Sequence, residues 1–218
     1  MFQNRADAGR RLAALVSAWL RDPDHAGMAA RALVLGLPRG GVPVAAAVAQ
    51  VLGVPLDVLV VRKIGVPWQP ELALGAVGEN GAVVLNNSVV AGSGVRQDEV
   101  EALVGRGSRA VEQVVAELRQ ATGPADLGGR TVIVVDDGVA TGATARAAAK
   151  IVRSRGPRDV IFATPVGAPS TCSDLRSFFD DVLCLETPSS FGSVGQHYEH
   201  FDQVSIGEVR RLLGGPPA

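Results

Sequence analysis

The chain has 218 residues, of which 47% are hydrophobic, and its formal net charge at pH 7 is −1. This length and apolar content suffice for a sizeable core, so we expect one globular domain over residues 1–218. The near-zero charge argues against bulk nucleic-acid binding and against a polybasic membrane surface. No apolar run reaches the roughly 18 residues of a membrane span. Residues 1–7 lack a signal-peptide apolar region, so a cytoplasmic location is expected.

The first half of the chain alternates apolar strands with amphipathic helices. Apolar residues at helical spacing predict a first helix over residues 7–21. Residues 64–81 contain Gly, Pro and Trp and predict a mobile loop, and the turn at 78–81 predicts a hairpin. The remaining predicted elements are a strand at 31–37, a helix at 42–52, strands at 56–61, 72–77 and 82–85, and a helix at 96–121.

The second half continues the same alternation after a linker at 122–129. Strands that alternate with helices indicate an α/β fold with a doubly wound, mostly parallel sheet covered on both faces. The hairpin near 72–85 would be an antiparallel addition to it. The predicted elements are strands at 131–135, 159–163 and 182–185, helices at 142–154, 171–178 and 204–213, and an irregular aromatic segment at 187–203.

The stretch Thr131–Thr144 carries the most chemistry, because its strand ends in two adjacent acids. Asp136 and Asp137 stand at the carboxyl end of that strand, where open α/β sheets bind ligands. The small-residue loop and helix that follow offer backbone N–H groups and a helix dipole to a phosphate. Thr141 and Thr144 add hydroxyls, and the carboxylates can hold a ribose diol directly or through Mg²⁺. These residues predict a sugar-phosphate site.

Three other interpretations of this stretch fit less well. A Rossmann phosphate loop needs Gly-x-Gly-x-x-Gly and an acid after the next strand, whereas here the acids precede the loop. A P-loop needs Gly-Lys-Ser/Thr, and Ala143 stands at the lysine position. A purely structural strand–helix connection would gain nothing from two adjacent carboxylates, because their repulsion is costly unless a cation or donors offset it.

The stretch resembles the phosphoribosyl-diphosphate (PRPP) signature of type I phosphoribosyltransferases, in which a hydrophobic strand and two acids lead into a loop ending Thr-Gly-x-Thr. The resemblance implies transfer of a 5-phosphoribosyl group from PRPP through an oxocarbenium-like transition state. It implies that Asp136 and Asp137 hold the ribose hydroxyls and Mg²⁺, directly or through water. The PRPP-binding residues that it implies are Asp136, Asp137, Gly138, Val139, Ala140, Thr141, Gly142, Ala143 and Thr144, together with Gly40 and Gly41.

The resemblance covers residues 31–166 and also carries expectations about the architecture. It implies a Rossmann-like core over about 31–186, with a small hood formed by about 1–30 and 187–203, all within one domain. A flexible antiparallel hairpin loop would close over the reaction and exclude water. A homodimer is a possible assembly for a chain of this kind.

Arg39-Gly40-Gly41 follows the first predicted core strand and opens the next helix. The two glycines permit close backbone approach to a ligand, and Arg39 offers a bidentate fork for phosphate. A tight strand–helix turn with an incidental arginine is the simpler interpretation. In type I phosphoribosyltransferases a loop of this kind binds pyrophosphate and frequently contains a non-proline cis peptide bond, which implies a catalytic role for Arg39.

Two further residues are candidates for catalysis near the predicted hairpin. Lys63, within Val-Arg-Lys at 61–63, would add positive charge for a diphosphate at the end of a core strand, as in adenine-type enzymes of the family. Glu71 lies in the expected closing loop at 64–80 and is the acid best placed to act as a base. The simpler interpretation of both is a solvated surface charge.

The acceptor is not specified by the signature. Many 6-oxopurine enzymes of the family place an aspartate as base where this chain has Ala140, and its loop resembles the adenine, uracil and orotate types instead. Aromatic residues in 187–203 could stack on a base or pack as core. His197 and His200 lack further partners at zinc-ligand spacing.

Two other functions are compatible with the same predicted pocket. The chain could be a PRPP- or nucleotide-binding regulator without turnover, or a nucleotide hydrolase or phosphorylase. Retention of Arg39 and both acids favours an Mg²⁺-dependent pentosyltransferase acting on PRPP and a small-molecule acceptor, such as a nucleobase, in nucleotide metabolism. Nucleic acids and membranes are not expected partners.

Overall fold

The computed structural model describes residues 1–119 and 123–214, the side chain of Glu71 excepted. Its strands are β1 (Ala32–Gly36), β2 (Leu56–Val58), β3 (Val61–Val66), β4 (Gln69–Gly78), β5 (Val83–Leu85), β6 (Thr131–Val135), β7 (Asp159–Val166) and β8 (Asp181–Glu186). Its α-helices are α1 (Arg5–Leu20), α2 (Gly41–Leu52), α3 (Asn87–Ser93), α4 (Gln97–Leu118), α5 (Ala143–Arg153), α6 (Pro169–Leu175) and α7 (Ile206–Leu212). The predicted helix 96–121 and linker 122–129 extend into residues 120–122, outside the described residues.

Five strands form a parallel sheet in the order β2-β1-β6-β7-β8, which confirms the predicted α/β class. In the register of this sheet Gly36 pairs with Val135, and Val135 pairs with Ala163. The carboxyl ends of β1 and β6 are therefore level with each other, and β7 continues three residues beyond them to Val166. The loops that follow these three strands emerge side by side at one edge of the sheet.

The strand side chains alternate between two helical layers, as the period of a β-strand requires. On β6, Val132 and Val134 belong to the core cluster shared with α5 and α6. Ile133 and Val135 point to the opposite face, where they join the cluster formed with α1 and α2. Burial on both faces explains why β6 is a continuous β-branched run in the sequence. Within the described part of the chain, no helix is both long and apolar enough to cross a membrane.

The antiparallel hairpin predicted near 72–85 is confirmed by the pairing of β4 with β5. The residues before it, expected to be a mobile loop, instead belong to β3 and β4 of one antiparallel sheet in the order β3-β4-β5. Its apolar side chains, among them Ile64 and Leu74, are buried in a cluster shared with α4 and α7. A Cβ on Gly65 would lie 2.4 Å from the carbonyl oxygen of Pro70, so glycine permits the close strand contact at this irregular register. The predicted strand 56–61 also divides into β2 and the start of β3. The predicted hairpin turn at 78–81 is a 3₁₀ turn between β4 and β5.

A buried ion-pair cluster joins the two sheets at the end of α4. The Arg119 guanidinium donates to Glu79 Oε2 and to Asp57 Oδ1, both at 2.7 Å, and its side chain is only 7% exposed. Glu79 is buried in the turn between β4 and β5, whereas Asp57 lies on β2 of the parallel sheet. Burial alone would lower the pKa of Arg119, but hydrogen bonds to Asp57 and Glu79 raise it. Arg119 is therefore a charged connection between the sheets.

The two chain segments expected to form the hood pack together. The Phe2 amide donates to the His197 carbonyl at 2.8 Å, and the Glu199 amide donates to the Phe2 carbonyl at 2.8 Å. Phe2 and Tyr198 are buried in one apolar cluster with Val166 of β7. The Asn4 side chain accepts from the Asp7 amide and caps the start of α1. The beginning of the chain and residues 198–202 therefore lie together beside the carboxyl edge of the sheet.

Candidate functional site

The two acids follow β6 at the carboxyl edge of the parallel sheet. Asp136 Oδ1 accepts a hydrogen bond from the Asp137 amide at 2.9 Å, which fixes the first carboxylate against the backbone of the second. Burial raises the pKa of the Asp136 carboxyl well above its ordinary value, and the neighbouring Asp137 raises it further. Burial also raises the pKa of Asp137, and the guanidinium of Arg5 opposes that rise. Two carboxylates this close favour a cation or strong hydrogen-bond donors as their partners.

The loop after β1 lies directly against the acid pair. A Cβ on Gly40 would lie 2.0 Å from Asp137 Oδ2, and a Cβ on Gly41 would lie 2.6 Å from the carbonyl oxygen of Val135. No side chain fits in either place. The peptide bond between Pro38 and Arg39 is cis, as the resemblance implies. The structure thus brings together the two motifs that the sequence separates by about 100 residues.

Replacing Gly41 by alanine is expected to lower the free energy of unfolding by about 1–3 kcal/mol, because the added Cβ meets backbone atoms that cannot rotate away. Urea denaturation measures this change. Gly92→Ala is the matched control, because a Cβ there meets nothing within 4 Å and the position is helical. Equal stability of the Gly41→Ala variant and the wild-type chain would contradict the tight contact between the two loops.

The loop from Gly138 to Gly142 leaves several backbone donors available. The Val139 amide donates to the Val166 carbonyl at 2.9 Å, which ties the loop to β7. The other loop amides make no hydrogen bond within the part of the chain that the structure describes; they belong to Gly138, Ala140, Thr141 and Gly142. Gly142 has a φ of 71° and precedes α5, so the loop turns directly into the helix N-terminus. This geometry suits an anion.

Arg39 of the loop after β1 and Thr144 of the first turn of α5 face a common space. Arg39, Thr141 and Thr144 are exposed, whereas Val139 and Gly142 are buried. Arg39 and Thr144 both line a cavity of about 350 Å³. Most other residues that line it are apolar: Leu59, Val60, Val61, Val114, Leu118 and Ile206. Arg39 and the Thr144 hydroxyl can therefore contact one ligand.

Lys63 does not line the cavity that Arg39 and Thr144 share. Lys63 lies within β3, opposite Ala76, rather than at the end of a core strand. It lines a different cavity, of about 240 Å³, with Arg146 and Lys150 of α5. The division of 56–61 into two strands is the physical reason, because β3 belongs to the second sheet. The backbone of Glu71 lies in β4, and its side chain is outside the described residues.

Two residues of the hood contact Asp137 in a way that the sequence did not indicate. Arg5 Nε donates to Asp137 Oδ2 at 2.8 Å, and both side chains are about one-eighth exposed. The Tyr198 hydroxyl donates to the Asp137 carbonyl oxygen at 2.5 Å. Both contacts join residues more than 60 positions apart. No local pattern could have found them, and Arg5 lies two residues before the helix predicted over 7–21.

The aromatic side chains of 187–203 pack against other rings of the chain. Tyr198 packs on Phe2 and on Phe201, with ring centroids 5.3 Å and 4.9 Å apart. Phe191 stacks on His197 at 5.4 Å, and His197 Nε2 is buried without a hydrogen-bond partner among the described residues. Tyr198 is therefore a core-packing residue rather than an open surface for stacking on a base.

The acids can supply part of a magnesium site but not all of it. Among the described residues, no group of three or more His, Cys, Asp or Glu side chains could hold a metal ion. Mg²⁺ in phosphate-binding enzymes is commonly held by one or two carboxylates, with substrate phosphates and water as further ligands. Asp136 and Asp137 fit that partial donor set, and a phosphorylated ligand would complete it.

Comparison with known proteins shows the family to which this chain belongs. A family model described as the phosphoribosyl transferase domain matches residues 7–200. The chain therefore belongs to the phosphoribosyl transferase domain family, which is a family of transferases. The crystal structure of TT1426 from Thermus thermophilus is similar to it, with a TM-score of 0.89 and 38% sequence identity. That match covers 98% of this chain and 97% of TT1426.

Relatives by sequence agree with this assignment. A protein of Mycobacterium tuberculosis H37Rv, Rv0571c, whose name provisionally assigns it to the phosphoribosyl transferases, is 44% identical over 213 residues. The match covers 98% of this chain and 46% of that protein, so the chain spans about half the length of this relative. A uracil phosphoribosyltransferase of Clostridioides difficile is 39% identical over 59 residues, which is 27% of this chain and 28% of that enzyme.

Proposed function

We propose that this chain transfers a 5-phosphoribosyl group from PRPP to an acceptor and releases pyrophosphate. In this reaction the bond between ribose C1 and the diphosphate oxygen breaks, and the diphosphate leaves with the electron pair. A bond from C1 to the acceptor nucleophile forms in its place. The family assignment supports the reaction type, and the use of PRPP is inferred from the site.

The observation that carries this proposal is the contact between the loop after β1 and the acid pair. Gly40 lies so close to Asp137 that a Cβ would approach the carboxylate to 2.0 Å. A ligand held by the acids therefore also meets the Arg39 side of the same loop. A generic nucleotide site needs one phosphate-binding loop, whereas PRPP carries a 5-phosphate and a diphosphate on opposite sides of its ribose. The two adjacent loops match that pair of anionic groups.

Each loop has a distinct role in the proposed reaction. The amides of Gly138–Gly142 and the hydroxyls of Thr141 and Thr144 bind the 5-phosphate at the start of α5. The Asp136 and Asp137 carboxylates accept hydrogen bonds from the ribose hydroxyls. Arg39 donates to the diphosphate, whose negative charge grows as the bond to C1 breaks, so its contact strengthens in the transition state.

The acid pair is also the place where we propose that Mg²⁺ binds. Its carboxylates, with diphosphate oxygens of the ligand, form an oxygen donor set of the kind that Mg²⁺ prefers. When bound, Mg²⁺ would supply positive charge to the leaving diphosphate. The protein's own contribution is to hold the ribose and both phosphate groups in a fixed orientation, which lowers the entropic part of the barrier.

For the acceptor we propose a nucleobase other than a 6-oxopurine. Ala140 is exposed in the loop and cannot act as a base. The local similarity to a uracil phosphoribosyltransferase makes uracil the first acceptor to test. Adenine and orotate follow, because the loop also resembles the enzymes that use them.

The experiment that tests the proposed reaction is release of pyrophosphate from PRPP and Mg²⁺ with a panel of nucleobases. We expect release that depends on one acceptor and stops when that acceptor is omitted. Release without any acceptor would indicate a hydrolase. Binding of PRPP without release across the panel would contradict transfer to a nucleobase and favour the regulator.

Replacing Arg39 by alanine is expected to lower kcat/KM for pyrophosphate release about 100-fold, because a donor to the leaving diphosphate is lost. Steady-state rates with PRPP as the varied substrate measure this effect. Arg62→Ala is the control, since Arg62 is also exposed but lies on β3 of the second sheet. A rate for the Arg39→Ala variant within a factor of about three of wild type would contradict the role of Arg39.

A further inference from the structure

Arg5 binds the second acid of the site from the first turn of α1. Its Nε donates to Asp137 Oδ2 at 2.8 Å, and another guanidinium nitrogen donates to the Asp202 carbonyl oxygen at 2.7 Å. The guanidinium also lies over the Phe201 ring, 3.9 Å from its centroid. Three independent contacts therefore fix this side chain between the hood and the acid pair.

The guanidinium of Arg5 therefore occupies a position beside Asp137 Oδ2, an oxygen that could otherwise bind a metal ion or a ribose hydroxyl. Asp137 Oδ2 lies between Arg5 on one side and the backbone of Gly40 on the other. The side chain of Asp137 is only 14% exposed, which leaves little space for a further partner. A divalent cation or a ribose hydroxyl that uses Oδ2 must therefore replace the hydrogen bond from Arg5.

We propose that Arg5 is the resident counter-cation of Asp137 and gives up this carboxylate when Mg²⁺ and the sugar diphosphate bind. This inference rests on the proposed function and assigns Arg5 as a positioning residue of the same site. With Arg5 in place, the charge of the acid pair is partly neutralised without any ligand. The carboxylate is then aimed at the loop after β1 before the ligand arrives.

The other contacts of Arg5 explain why the exchange needs only a side-chain movement. The Asp202 carbonyl and the Phe201 ring belong to the hood segment, not to the acid pair. They can still hold the guanidinium after it leaves Asp137. Helix α1 also keeps its apolar packing through Leu12 and Val16, both fully buried. The proposed exchange therefore changes one ion pair and leaves the fold intact.

A metal titration without PRPP tests this role directly. Mn²⁺ is the probe, because it takes the same oxygen ligands as Mg²⁺ and the EPR signal of free Mn²⁺ reports binding. We expect the Arg5→Gln variant to bind Mn²⁺ roughly tenfold more tightly than the wild-type chain, since a charge-assisted competitor has been removed. We also expect its melting temperature to fall in EDTA and to recover when Mn²⁺ is added.

Arg11→Gln is the matched control within the same helix. Arg11 also pairs with a carboxylate, Glu186 at 2.7 Å, and also lies over a ring, that of Phe2 at 4.4 Å. Its carboxylate partner is Glu186 rather than Asp137, so Mn²⁺ affinity should match that of the wild-type chain. If the effect came only from lost packing of an α1 arginine, Arg5→Gln and Arg11→Gln would change the Mn²⁺ affinity equally. That result would overturn the proposal.

A second variant keeps the proposal testable if Arg5→Gln does not fold. Arg5→Lys retains the charge, but an ammonium cannot hold Asp137, the Asp202 carbonyl and the ring together. We expect roughly threefold tighter Mn²⁺ binding than in the wild-type chain. Unchanged affinity in a folded Arg5 variant would overturn the role of Arg5. Because PRPP is absent, a wild-type chain that releases no pyrophosphate would contradict the proposed transfer alone.

Discussion

Replacing Asp137 by asparagine is expected to weaken the binding of PRPP in the presence of Mg²⁺ about 100-fold. Asparagine keeps the shape of the side chain but loses the negative charge that a cation needs. It also leaves Arg5 in a largely buried place without its carboxylate. Calorimetric titration of PRPP into the protein with saturating Mg²⁺ measures the change in dissociation constant.

The matched control for this variant is Asp174→Asn. Asp174 pairs with Arg146 of α5 at 3.7 Å, so it lies near the phosphate-binding loop, but its side chain is 66% exposed. The same charge change there should leave the affinity for PRPP within about twofold of the wild-type value. A folded Asp137→Asn variant that binds PRPP as tightly as the control would contradict the placement of the ribose and the metal at the acid pair.

Replacing Arg119 by methionine is expected to lower the free energy of unfolding by about 3–5 kcal/mol. The change removes the cation from a cluster in which Glu79 is 2% exposed and Asp57 is 13% exposed. Two buried carboxylates then remain near each other without a positive partner. Urea denaturation followed by circular dichroism measures the loss, and α4 together with the antiparallel sheet should respond first in hydrogen exchange.

A second substitution separates buried charge from lost packing at this cluster. Adding Glu79→Gln to the Arg119→Met variant removes one of the unpaired charges, so stability should rise relative to Arg119→Met alone. Arg158→Met is the control, because Arg158 is 59% exposed and its contact with Asp159 is 3.6 Å. If Arg119→Met and Arg158→Met have equal stability, the charged connection between the sheets contributes nothing to the fold.

The parallel core could be predicted from the sequence because its signals are local. β6 is a continuous β-branched run buried on both faces, and α5, an alanine-rich helix, follows it after the loop at 136–142. The position of the acid pair could also be predicted, because Asp136 comes directly after the last residue of β6. The contact of Gly40 and Gly41 with that pair was expected only through the resemblance, and parallel register of β1 with β6 produces it.

The antiparallel sheet was harder to predict because its pattern is interrupted. Gly65, Pro67 and Pro70 break the alternation between β3 and β4, and such residues ordinarily mark a loop. The break between β2 and β3 carries no turn residue at all, so the sequence predicts one strand over 56–61. That prediction placed Lys63 at the end of a core strand, whereas it lies within β3 of the second sheet. The catalytic role of Lys63 stays a prediction.

The hood contacts could not be predicted for a different reason. Arg5 and Asp137 are 132 residues apart, and Tyr198 and Asp137 are 61 residues apart. Neither pair shows in periodicity or in a motif, because each depends on how the two ends of the chain fold back onto the sheet. Assembly as a homodimer stays a prediction.

Calorimetric titration of the wild-type chain with PRPP in the presence of Mg²⁺ tests directly whether the acid pair and the Arg39 loop bind this ligand. We predict saturable binding of one PRPP per chain, with a dissociation constant between about 1 μM and about 1 mM. We also predict that ribose 5-phosphate, which lacks the diphosphate, binds more weakly by a factor of roughly ten or more. The absence of PRPP binding, or equal affinities for the two ligands, would contradict a site built from the acid pair and the Arg39 loop.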